Sequence, residues 1–170
     1  MPSPYLAPSL ARARTAINTR WPGRDHSSDG WIGDKAHAAR TSDHNPDKVT
    51  GVVRAIDVDK DGVHVPTVLA ALFLHPAIRY VIHSRKIWHA SDRFKPKKYT
   101  GSNTHEGHIH GSIQHTKTAE NHKGGWAPID RAFVWPELKA GMKGMHVGEL
   151  QAFLNGHGAA LSIDGDFGPG

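Results

Sequence analysis

The chain has 170 residues, 38% of them hydrophobic, enough for one core-bearing domain and a small second unit. Its 18 glycines and 11 prolines exclude a helical bundle or coiled coil, and the absence of cysteine excludes disulfides, thiolate metal sites and thiol nucleophiles. A net charge of +5 favours polyanionic partners, and 14 histidines leave nitrogen and oxygen donors for a divalent metal.

The first twenty residues carry arginines at 12, 14 and 20 and no apolar core. They read as no secretory signal, and no apolar run is long enough for membrane insertion. Ala7 to Arg20 predicts a helix that ends before Trp21-Pro22. A polar, turn-rich loop spans Gly23 to Gly33. A short helix is expected around Asp34 to Arg40, closed by Thr41-Ser42-Asp43 and Asn45-Pro46. Val52 to Val58 reads as a strand, and Pro66 to Leu74 as a buried helix with proline in its first turn. Ile78 to His83 and Lys86 to His89 predict a hairpin across Ser84-Arg85, followed by a loop from Asp92 to Thr104. His108 to Gln114 alternates, with Ile109 and Ile113 on one face. Helices mixed with hairpin-spaced strands, without βαβ alternation, predict an α+β domain with an antiparallel sheet.

His108 and His110 lie two apart in a strand, so both imidazoles leave the same face. His105 precedes them by three residues, Asp57 sits inside a strand run, and His44 lies in a Ser-Asp-His-Asn-Pro turn. Two histidines and an aspartate with one open position suit a catalytic zinc. Asp57 to Gly62 also copies the first half of a calcium loop, but Val68 stands where the bidentate glutamate belongs, so a plain turn is preferred there and Asp59 stays a reserve ligand.

Ser42 to His44 (S-D-H), Ala55 to Asp57 (A-I-D) and His108 to His110 (H-I-H) together resemble the zinc peptidases of the D-Ala-D-Ala carboxypeptidase group, in the larger set with lysostaphin-type enzymes and the hedgehog domain. The resemblance covers roughly residues 20 to 115. It implies a hedgehog-like antiparallel sheet with flanking helices, Zn2+ held by His44, Asp57 and His110, and a catalytic His108. His105 reproduces the H-x-x-H-x-H spacing of the murein endopeptidases, where the extra histidine borders the site. Ser42 and His105 are expected to orient ligands or substrate, with Arg54 beside Ser42 among the substrate contacts. Two departures stand out: thirteen residues separate His44 from Asp57, with an insert around Lys48-Val49-Thr50, and Gly107 occupies the position of a glutamate used in another branch.

The segment 138–170 contains L-x-x-G-x-x-G-x-x-V-x-x-L-Q-x-x-L-N and then I-D-G-D-F-G-P, which resembles the three-helix peptidoglycan-binding module. Roughly half of that module is present, so its apolar face is expected to be poorly covered or to lean on Trp126, Phe133 and Trp135. The expected layout is a catalytic domain over 1–120, a linker over 121–136 and an incomplete wall-binding module over 137–170. Together these features predict a monomeric endolysin, made in a host cytoplasm without a signal and cutting an amide of peptidoglycan, with no nucleic-acid partner. An amidase at the glycan–peptide link and a non-catalytic wall binder with structural zinc are the alternatives. A metal-dependent nuclease is disfavoured because Asn45-Pro46 breaks the helix it would need.

Overall fold

Period-two alternation puts Ile56 and Val58 on one side of a strand and Asp57 and Asp59 on the other, and that division organises the molecule. The computed structural model describes residues 2–34, 39–131 and 137–168. In chain order the described elements are β1 (Tyr5–Leu6), α1 (Pro8–Arg20), β2 (Val52–Val53), β3 (Ala55–Asp59), α2 (Val65–Leu74), β4 (Ile78–His83), β5 (Lys86–His89), β6 (Pro96–Lys98), β7 (His108–Ile113), α3 (Lys117–Glu120) and α4 (Met145–Gly156), with a 3-10 turn at Ala90–Asp92. Five strands form an antiparallel sheet in the order β3-β7-β4-β5-β6, while β1 and β2 pair in parallel beside it.

The expected strand over Val52 to Val58 is split at Arg54. There the backbone N–H bonds the Asp43 carbonyl, so β2 leaves for β1 before β3 joins the sheet. The hairpin turns at Ser84 and Arg85, both with positive φ, as a tight two-residue connection requires. The loop expected from Asp92 to Thr104 contains an edge strand, β6, which a Lys-Pro-Lys-Lys composition conceals. Three of its residues simply complete the ladder of β5. The helix expected around Asp34 to Arg40 lies largely outside the described residues.

One sheet face carries Ile56, Val58, Val81, Ile109 and Ile113, and α1 and α2 cover it with Leu10, Ala13, Ile17, Val68, Leu69, Leu72 and Phe73. Each Val, Leu, Ile or Phe side chain among them contributes about 1.5–3 kcal/mol when fully buried. Gly111 lies at the centre of this face, where a β-carbon would sit 3.2 Å from Leu72 Cδ2, so glycine lets α2 settle closely on β7.

The region expected to be a linker contributes to the core. Trp126 and Ile129 are buried, and Trp126 stacks face to face on His75 at 3.7 Å. The tail is likewise not separate: α4 lies along α2, and Ala152 belongs to the same core. Gln151 and Asn155, both from the L-Q-x-x-L-N motif, clamp the loop that follows. Gln151 accepts the N–H groups of Asp164 and Gly165, and Asn155 exchanges two bonds with Leu161 at 2.8 Å each. Leu154, the last leucine of that motif, is exposed, because the buried side of α4 runs through Val147, Ala152 and Asn155. The expected support from Phe133 and Trp135 lies outside the described residues, and Trp126 is engaged by His75.

At the end of α4, a β-carbon on Gly156 would lie 2.6 Å from the Pro66 carbonyl oxygen and 3.1 Å from its Cα. Both obstacles are backbone. Gly156→Ala is expected to destabilise the protein by about 1–3 kcal/mol despite alanine's better helix propensity, read as a lower denaturant midpoint.

His75, the residue that ends α2, gives the fold an acid limit. A protonated histidine at a helix C-terminus is normally favourable, but burial, followed by the nearby His122, pushes this imidazole down to about 4. Its unfolded value is near 6.5, so the contribution is complete above that pH and is lost between about 6.5 and 4, amounting to roughly 3 kcal/mol. Urea denaturation from pH 7 to 4 is expected to show this decline. A His75→Phe variant, stacked on Trp126 without a titrating ring, is expected to show a shallower one.

Candidate metal centre

The polar face of the sheet is assembled by register. Antiparallel pairing sets Asp57 opposite His110 and Asp59 opposite His108, while Tyr80 and Ile82 of β4 oppose Ser112 and His110. Directly paired residues share a face, so these side chains rise together. His44 arrives from a loop. Its backbone N–H meets Ser42 Oγ at 3.3 Å, the Asn45 N–H closes a turn on the Ser42 carbonyl, and Gly33 N–H binds the His44 carbonyl. The insert around Lys48-Val49-Thr50 closes on itself before it can disturb this geometry. Asp47 Oδ1 accepts the N–H groups of Val49 and Thr50, and Gly51 completes the turn at φ +79°.

His44, Asp57 and His110 therefore converge, with one donor atom from each within 4.8 Å of the others. His44 Nε2 lies 3.2 Å from Asp57 Oδ2 and 3.1 Å from His110 Nδ1, which is 2.9 Å from Asp57 Oδ1. The opposite ring nitrogens have partners of their own: His44 Nδ1–H donates to the Trp31 carbonyl at 3.2 Å, and His110 Nε2–H to Ser112 Oγ at 3.0 Å. With those hydrogens so placed, two nitrogen lone pairs and a carboxylate face the same point. Lone pairs 3.1 Å apart repel unless a cation lies among them, so the donor set fits a divalent metal with nitrogen and oxygen ligands.

Electrostatics agree with this assignment. Burial works to raise the Asp57 carboxyl, but the close approach of His110 and then His44 outweighs it and holds the group far below the usual carboxylate range. Burial lowers His44, and the adjacent Asp57 carboxylate more than reverses this. Gly30 bridges the free edge of β3 at Asp57, exchanging backbone hydrogen bonds with it, and a β-carbon there would stand 3.3 Å from Asp57 Oδ2. The Gly23 to Gly33 loop thus fixes the carboxylate and, through Trp31, one imidazole.

Two more histidines border the three. His105 has a left-handed backbone (φ 53°) and donates Nδ1–H to the Asn103 carbonyl at 2.8 Å. Its ring lies 5.5 Å from that of His110, and burial, with the charges of His110 and His108, pushes it down to about 4. His108 stays outside the converging set. Its Nε2 is 3.7 Å from Asp57 Oδ1, its ring meets His105 at 4.9 Å, and burial lowers it against the pull of Asp57. A cavity of about 190 Å³ opens over the three residues, walled by Ser42, Tyr80, Ile82, Tyr99, Asn103 and His105. The Asp92 to Thr104 segment supplies Tyr99 and Asn103.

Two expected roles are corrected. Arg54 is absent from this wall: Glu120 takes its Nε and Nη2 at 2.9 and 2.7 Å, and Asp47 takes Nη1 at 3.2 Å. Two carboxylates on one guanidinium leave it no role toward a ligand in the cavity. Asp59, the reserve ligand, is consumed by Ser27 Oγ, Ser28 N–H and Asp61 N–H, and groups with Asp25 and Asp61 instead of with the histidines. Tyr80, Ile82, Tyr99 and Asn103 were missed by sequence reasoning. The alternation of Ile78 to His83 pairs Tyr80 with Ile82 on one face, but only the register reveals which face that is. No protein-family model, curated protein or solved structure matches the chain.

Proposed function

We propose that this protein is a zinc-dependent peptidase that hydrolyses an amide in the peptide part of bacterial peptidoglycan, in the manner of an endolysin made in a host cytoplasm. The convergence of His44, Asp57 and His110 beneath an open cavity, with His105 on its wall and His108 beside Asp57, carries this reading. Bound there, zinc would supply Lewis acidity toward an amide carbonyl and a hydrolytic water. Asp57 gives the ligand set its negative charge, while Trp31 and Ser112 hold the imidazoles in their ligating tautomers. His108, next to the ligands yet outside them, is suited to take a proton from water and pass it to the leaving amine. Tyr99 and Asn103 line the cavity that would receive the substrate. The finer fold assignment, to the hedgehog and D-Ala-D-Ala peptidase type, belongs to the same proposal. So does a wall-binding role for the α4 segment. The +5 charge suits a polymer rich in carboxylates and phosphates.

Purified cell walls digested with the protein and resolved by mass spectrometry test the proposal. New free α-amino groups between stem or cross-bridge residues are expected, vanishing with a chelator and returning with Zn2+. Fragments with free lactyl groups on the sugar would identify an amidase instead, and bound zinc without any product would identify a wall binder.

A further inference from the structure

The β5–β6 edge of the sheet carries a second concentration of charge. Lys86 of β5 stands directly opposite Lys98 of β6. Two-residue spacing puts both on the same face as the buried Trp88, away from the metal cavity. Directly opposed side chains have β-carbons about 4.5–5.5 Å apart, and like charges so placed are destabilising. Both lysines are exposed, and among the described residues neither ammonium has a carboxylate partner. Their neighbours differ: Arg85 pairs with Glu106 at 3.0 Å and Lys97 with Asp92 at 2.7 Å. Two like charges held face to face with no carboxylate between them are a local conflict that an external anion resolves.

The pair borders a groove of about 450 Å³. Arg85, Lys86, Lys97 and Lys98 belong to the hairpin side, and Gly158 and Ala160, just beyond α4, form the opposite wall. A β-carbon on Gly158 would meet nothing within 4 Å, so that wall is open. Among the described residues the lining holds four cations, no carboxylate and no aromatic ring. The cations select an anion, and the lack of a ring leaves no platform on which a nucleic-acid base could stack. This chemistry suits a phosphodiester chain without bases.

Backbone hydrogen bonds tie the groove to the metal centre. Ser84 N–H bonds the His105 carbonyl and Arg85 N–H the Thr104 carbonyl, at 2.9 Å each, while Tyr99 N–H bonds the Arg85 carbonyl at 2.8 Å. His105 and Tyr99 both line the metal cavity. Alternation sends Lys98 and Tyr99 to opposite faces, so one hairpin end presents cations behind and cavity wall in front. A polymer held at Lys86 and Lys98 is thereby brought to the edge of the cavity.

We propose that Lys86 and Lys98 form a docking site for the phosphodiester backbone of a polyol-phosphate polymer of the bacterial cell wall, one phosphate bridging the two ammonium groups. This rests on the cell-wall part of the reading above and is independent of which bond is cut.

The test is retention of the full-length protein on purified walls that carry such a polymer, before and after hydrofluoric acid removes it. The parent is expected to bind the untreated walls more tightly. K86Q and K98Q are expected to weaken that binding by roughly 5-fold each and K86Q/K98Q by roughly 25-fold, whereas K86R/K98R keeps it. On stripped walls the parent and K86Q/K98Q should bind alike. Thermal unfolding of K86Q/K98Q is expected at or slightly above the parent midpoint, because opposed charges have been removed. K86Q/K98Q retained like the parent on untreated walls overturns the assignment, as does a parent that binds both wall preparations equally. A DNA oligonucleotide bound more tightly than the released polymer, with the same loss in K86Q/K98Q, gives the groove to nucleic acid and also overturns it. Zinc-dependent cleavage of a soluble, phosphate-free stem peptide reports on the metal centre alone and is expected to be equal in parent and K86Q/K98Q. A parent that docks on walls but cleaves no stem peptide removes the peptidase reading and leaves the docking site standing.

Discussion

His110→Ala is expected to lose zinc and hydrolysis together, to below detection in metal analysis and in the release of wall fragments. The imidazole supplies Nδ1 to the converging set, 2.9 Å from Asp57 Oδ1, so its removal takes away one of three ligands and leaves a mostly buried carboxylate with His44 as its nearest imidazole. Losing that partner is expected to cost about 1–3 kcal/mol of stability as well. The two consequences are separable. Thermal unfolding of the parent in chelator and of the variant gives the folding cost alone, while metal stoichiometry on folded variant gives the ligand loss. A folded His110→Ala protein that retains one zinc and full turnover would remove His110 from the site.

His108→Ala is expected to divide these properties differently. Its Nε2 is 3.7 Å from Asp57 Oδ1, beyond hydrogen-bond distance, and it is not among the converging ligand atoms, so zinc stoichiometry should not change. Turnover on wall fragments is expected to fall by about 10²–10⁴-fold, the range a positioned general acid–base contributes. The substrate concentration at half-maximal rate should move little, because a proton-transferring group acts mainly in the transition state. Zinc lost from this variant would make His108 a ligand. Unchanged turnover would leave the proton transfer to His105, whose ring lies 4.9 Å away.

Much of the candidate site was legible along the chain. Two-residue spacing is enough to put His108 and His110 on one face of a strand, and a carboxylate inside the β-branched run around Asp57 signals a partner. Asp59 shows the limit of the same logic. It shares the face of Asp57, and only the Ser27-Ser28 turn folding over it, which no periodicity announces, withdraws it from the site. Arg54 was misread because its partners, Asp47 and Glu120, come from distant parts of the chain and meet only after folding.

By itself the sequence determined the main helices and the central strands, the α+β class and the identity of the clustered imidazoles, because these depend on local spacing and side-chain chemistry. Strand register decided the rest. It brings Tyr80 over Ser112, while long-range packing lays the tail helix along α2 and buries Trp126 and Ile129 of the presumed linker. Each of these pairings joins residues far apart in the chain, and their energy comes from excluding water between surfaces that do not exist until the sheet has formed.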